Sequence, residues 1–103
     1  MPRLPKYVSG TTVYHVGGVL ATVTVPTTGW TGSAAPYTIS LTATGLTQGE
    51  AIFPRVECPE NATQAQTALA DFANLYKFQV TADNTLKIWA FAIPTAALTV
   101  QIW

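Results

Sequence analysis

The stretch YTISLTAT, residues 37–44, alternates apolar and polar side chains without interruption: Tyr37, Ile39, Leu41 and Ala43 against Thr38, Ser40, Thr42 and Thr44. A period of two puts successive side chains on opposite faces of an extended chain, so the segment predicts a strand with one dry and one wet face. Such a strand must bury its apolar face against a second layer. The rest of the chain therefore has to supply that layer.

It does so with more strands. Residues 19–26, VLATVTVP, set Val19, Ala21, Val23 and Val25 against Leu20, Thr22 and Thr24, and their β-branched content suits a pleated surface. TTGWTGSAAP, between these two segments, reads as a long turn: Gly29 and Gly32 permit positive φ, and Pro36 pushes Ala35 to extended backbone. AIFPRVECP, residues 51–59, predicts a third strand, confined to an edge or bulged because Pro54 has no N–H for a ladder. FQVTADNTLKIWAFAIP holds two alternating runs around Asp83 and Asn84, the pattern of a hairpin with a two-residue loop. Phe78, Val80 and Ala82 then face the same way as Leu86, Ile88 and Ala90. ALTVQIW closes the chain as a strand with Leu98, Val100 and Ile102 inward.

One segment breaks the period. Ala62, Ala65, Leu69, Phe72, Ala73 and Tyr76 recur at helical spacing in a stretch rich in alanine and glutamine. Asn61 suits the N-cap, which explains the sugar-acceptor-like triplet NAT without invoking glycosylation. The expected fold is mainly β with one helix: a small antiparallel β-sandwich of about six strands, with the helix at about residues 61–77 between strands three and four. The domain covers residues 19–103. Residues 1–18 have two prolines and three glycines and read as an extended arm, lying on its own domain or on a neighbour because its apolar side chains are too many for a free tail.

Charge narrows the functional classes. Only 10% of the 103 residues are charged and the formal net charge is zero, while 49% are hydrophobic. So few charges oppose disorder and favour association. Arg3 and Lys6 are the only charged residues before Glu50, too few for a nucleic-acid footprint. No apolar run approaches the roughly 18 residues of a membrane span, and no apolar stretch follows the basic N-terminal residues as in a signal peptide. Cys58 is the single cysteine, which excludes an internal disulfide and reads as a buried thiol.

Catalytic devices are not evident. His15 is the only histidine and lies in the arm, away from any nucleophile motif. Glu57 and Glu60 flank a strand end and Glu50 sits in a turn, positions of solvated carboxylates rather than of a glycosidase pair. No ligand cluster suggests a metal or cofactor. The expectation is a non-enzyme with no cofactor.

The remaining signal is aromatic. If Leu86, Ile88 and Ala90 face the core, Trp89 and Phe91 face away; if Val100 and Ile102 do, Trp103 faces away. The three would cluster outside if their strands are neighbours, and grouped outward aromatics mark a contact surface. Two functional readings follow, a seam between copies of the chain and a sugar-stacking platform. Only Gln79 and Gln101 stand near enough to serve a sugar, so the seam is preferred. The bland reading is that a second layer or the arm covers them.

The GWTG turn, APYTISLTATGLT, the helix leading into LADFANLYKFQVTADNTLKIWAFAIPT, and the final LTVQIW together resemble a small domain of phage and prophage head-fibre and tail-fibre-like structural proteins. The resemblance spans about residues 19–103. It implies a virion component, assembled in the bacterial host cytoplasm, that oligomerises, with a trimer favoured, and contacts capsid, neck or fibre proteins. The sequence shows no shaft, coiled coil or collagen-like repeat, which argues against a free-standing fibre and favours a short module whose arm docks on a capsid, a neck or another fibre protein; the expected role is of head-fibre or capsid-decoration type. Trp89, Phe91 and Trp103 would form the oligomer or partner interface, and Arg3, Leu4, Lys6, Tyr7 and Tyr14 the attachment arm. The alternative is a tail-associated receptor-binding module that recognises host cell-surface glycan. No nucleic acid and no membrane is expected as partner.

Overall fold

The computed structural model describes residues 18–103; the attachment residues Arg3, Leu4, Lys6, Tyr7 and Tyr14, and His15, lie outside the described residues. Six strands and one helix follow in the order β1 (Ala21–Val25), β2 (Tyr37–Thr42), β3 (Pro54–Val56), α1 (Ala62–Ala73), β4 (Leu75–Ala82), β5 (Thr85–Ala90) and β6 (Leu98–Ile102). They form two three-stranded antiparallel sheets, β1-β6-β3 and β2-β5-β4. The fold is the expected one, mainly β, with the helix between strands three and four.

The connections follow a simple rule. The chain crosses from one edge of the first sheet (β1) to an edge of the second (β2), back to the far edge of the first (β3), through α1 to the far edge of the second (β4), and then fills both centres with β5 and β6. Central strands need apolar residues on their inner faces and cannot carry proline in the ladder. β5 and β6 meet that demand: Leu86, Ile88, Ala90, Val100 and Ile102 are fully buried and Leu98 nearly so. Pro54 sits at the start of an edge strand, as its missing donor requires. Val23 and Val25 from the first sheet and Ile39, Val80, Leu86 and Ile88 from the second belong to one core cluster, so the sheets face each other and their outer faces point in opposite directions.

The turn around GWTG is held by three features. Gly29 (φ 86°) and Gly32 (φ 119°) both take left-handed backbone. The Trp30 indole N–H donates to the Pro26 carbonyl at 2.8 Å. Thr31 and Thr38 exchange both backbone hydrogen bonds, at 2.8 and 3.0 Å.

Three local expectations are corrected. The helix ends at Ala73, with Asn74 as its C-cap, rather than near residue 77. Leu75 and Lys77 pair with Ala90 and Trp89, and the gain of ladder bonds to β5 outweighs another helical turn. The buried helix face is also rotated from the expected one: Ala68 and Asp71 are buried while Leu69 is exposed. Finally, Ala82 is exposed, because a register shift between Val80 and Ala82 turns the strand end outward. The Asn61 cap is as expected, its side chain accepting from the Gln64 N–H at 3.0 Å.

Two polar clamps close the ends of the sandwich. Of the hairpin residues Asp83 and Asn84, only Asn84 has positive φ (62°), so the loop is a turn with a bulge rather than a mirror-image turn. Asn84 Oδ1 accepts from the Gly45 N–H at 2.9 Å and Asp83 Oδ1 from the Gln48 N–H at 3.0 Å, locking the hairpin tip to the turn that follows β2. At α1, the buried Asp71 accepts on Oδ2 from the Thr95 N–H (3.0 Å), the Thr95 hydroxyl (2.8 Å) and the Ala96 N–H (3.3 Å). This fastens the helix to the link between β5 and β6.

Candidate interaction faces

The expected cluster of Trp89, Phe91 and Trp103 required β5 and β6 to be neighbours in one sheet. They are the central strands of different sheets. The three rings do point outward, but Trp103 lies on one side of the sandwich and Trp89 and Phe91 on the other. One cluster becomes two faces.

On the first sheet, strand pairing sets Leu20, Trp103 and Phe53 in a row at one end. The Leu20 N–H donates to the Ile102 carbonyl at 2.7 Å, and Phe53 and Trp103 exchange backbone bonds at 3.0 Å each. All three share the outward parity of Arg55, which stands opposite Gln101. Phe53 is 67% and Leu20 43% exposed, and Trp103 is half-buried. The Trp103 indole N–H is buried and has no hydrogen-bond partner among the described residues. A buried donor is normally paired. The Arg55 guanidinium lies 5.8 Å from the Trp103 ring centre. The next rows along the sheet, Thr22–Gln101–Arg55 and then Thr24–Thr99, are polar, so the apolar character stops after one row.

On the second sheet, Tyr76 and Phe91 stack with ring centres 4.3 Å apart and 23° between planes. They remain 43% and 59% exposed. Beside them Trp89 carries two ammonium groups, Lys77 at 4.6 Å and Lys87 at 5.0 Å from its ring centre. The placement follows from the ladder: Lys77 stands directly opposite Trp89, and Lys87 lies two residues before it on the same strand face. Tyr76 and Lys77 both turn outward because a register shift falls between Leu75 and Lys77. No periodic reading of the sequence marks that shift, and Tyr76 read as a helix residue, so the stacked pair was not legible.

A third feature is an open groove of about 430 Å³ between α1 and the ends of β3 and β6, bordered by Glu57, Cys58, Thr63, Gln64 and Thr67 on one side and residues 96–99 on the other. Cys58 is exposed, not buried as its residue type suggested. Among the described residues no three histidine, cysteine, aspartate or glutamate side chains converge on a point. No helix of the described residues is long and apolar enough to cross a membrane.

Comparison of the chain with protein-family models, with curated proteins and with solved structures finds no match.

Proposed function

We propose that the chain is a non-enzymatic structural protein of a phage virion, of head-fibre or capsid-decoration type, which self-associates through its β domain and is attached by residues 1–18. The observation that carries this reading is the Leu20–Trp103–Phe53 row. It is a largely exposed apolar row with a buried N–H that has no partner among the described residues, and it lies at the end of the sheet where β1 begins. A surface of that kind is completed by an acceptor and apolar atoms from a second copy or a virion protein. Low charge supports the same reading, since little repulsion opposes close contact. Trp103 thus serves the oligomer or partner interface, while Trp89 and Phe91 belong to the opposite face. Mass spectrometry of gradient-purified particles from the host strain tests this: the chain is expected at a fixed copy number per major capsid protein, and its absence from particles overturns the reading.

The second face favours a second reading, a tail-associated module that recognises host cell-surface glycan. The exposed Tyr76 and Phe91 rings beside Trp89 are the observation behind it.

A further inference from the structure

We infer that the outer face of the β2-β5-β4 sheet is a binding site for an acidic glycan, a sugar chain that carries phosphate or carboxylate groups. The inference deepens the glycan-recognition reading and rests on it.

The face combines two chemistries. Aromatic rings offer flat apolar surface to the C–H faces of sugars, and Phe91 keeps more than half of its surface free for that, at 59% exposed. Lysine ammonium groups offer compact positive charge with three donors each. The chain has five basic residues; of the three in the described domain, two converge on the single ring of Trp89. Cross-strand pairing adds neutral hydrogen-bonding groups next to them. Gln79 and Ser40 both stand opposite Lys87, one on each neighbouring strand, and both are exposed. An amide and a hydroxyl at either side of an ammonium suit sugar hydroxyls flanking an anionic group.

Charge decides between acidic and neutral sugar. The acids of the domain are placed elsewhere. Glu50 accepts from the Thr47 N–H, Asp83 from the Gln48 N–H, and Asp71 is buried under the β5–β6 link. Glu57 borders the groove beside α1, and Glu60 is exposed just before the Asn61 cap of that helix. The face is therefore locally cationic in a chain of zero net charge, which attracts anions and repels nothing in a neutral sugar. A nucleic acid is the less suited polyanion, because binding along its phosphates uses a stripe of cations rather than two.

The test titrates the full chain, followed by NMR or calorimetry, with three probes: a hyaluronan hexasaccharide for carboxylate, poly(glycerol phosphate) for phosphate, and cellohexaose as neutral control. Saturable binding of at least one acidic probe, with no binding of cellohexaose, is expected. The double substitution Lys77→Gln/Lys87→Gln should weaken it about tenfold or more, and Phe91→Ala should weaken it as well. Arg55→Gln, on the opposite face, should leave it unchanged; an equal loss there would mean diffuse charge attraction and overturn the site. All substituted side chains are at least partly exposed, and circular dichroism checks that each variant is folded. Equal binding of cellohexaose, unaffected by the lysine substitutions, overturns the acidic preference but leaves glycan recognition standing. No binding of any of the three overturns both. Tighter binding of a single-stranded oligonucleotide than of either acidic sugar also overturns the inference.

Discussion

Asp71→Ala removes the acceptor that ties α1 to the link between β5 and β6. Two backbone N–H groups and one hydroxyl converge on Oδ2, at 3.0, 3.3 and 2.8 Å, and the residue is 7% exposed. A hydrogen bond to a charged group contributes about 1.5–3 kcal/mol, and a buried donor left unpaired costs about 1–3 kcal/mol. The three bonds do not add. The Thr95 hydroxyl can rotate toward another acceptor, and the 3.3 Å bond is long. The well-formed backbone bond and part of the hydroxyl bond remain in the sum, giving a loss of about 2–4 kcal/mol. That is a large share of the roughly 5–15 kcal/mol that holds a domain folded. In a chain of this size each kcal/mol moves the melting temperature by about 4–8 °C, so a drop of at least about 8 °C is expected. Urea unfolding followed by tryptophan fluorescence gives the free energy directly. Asp71→Asn keeps one acceptor oxygen and should lose about half as much. Glu60→Ala, an exposed acid just before the helix, should stay within about 0.5 kcal/mol of the parent. If Asp71→Ala falls in that same narrow range, the carboxylate is not what holds the helix, and the reasoning fails.

Other perturbations probe the remaining parts. Asn84→Ala places a Cβ-bearing residue without a helpful side chain at φ 62° and deletes the Gly45 acceptor, so a loss of about 1–2 kcal/mol in urea unfolding is expected. Asn61→Ala removes the helix cap and should cost about 1 kcal/mol by the same assay. Gly32→Ala forces a Cβ to within 3.2 Å of the Pro36 carbonyl oxygen at φ 119°, so a lower melting temperature should follow; an unchanged one would mean that the turn is free to relax. Trp103→Ala should lower the solution mass seen by sedimentation velocity, and Trp103→Phe, which lacks the buried N–H, should weaken association to a smaller degree.

Much of the sandwich was legible because its central strands are buried on a strict period. The alternation of Leu86, Ile88 and Ala90, and of Leu98, Val100 and Ile102, names the inward faces correctly, and Pro54 names an edge. The helix start was legible through its Asn61 cap. Its end was not, since Leu75 and Tyr76 suit either a helix face or a strand, and pairing with β5 decided between them. The aromatic cluster failed for a related reason. Periodicity fixes which face of a strand a residue takes, but not which sheet the strand joins. Placing β5 and β6 in different sheets splits Trp103 from Trp89 and Phe91. Asp71 was invisible as a clamp because a carboxylate among alanines reads as solvated until its three donors, 24 and 25 residues away, come into view.

The two faces give the domain a direction: one side carries the Leu20–Trp103–Phe53 row, and the other carries the aromatic and cationic platform. The most direct test of a virion role is immunogold electron microscopy on purified particles, with antibody raised against residues 19–103. Label distributed over the heads is the predicted result. Label confined to the tail tip, or no label, would contradict a head-fibre or decoration protein.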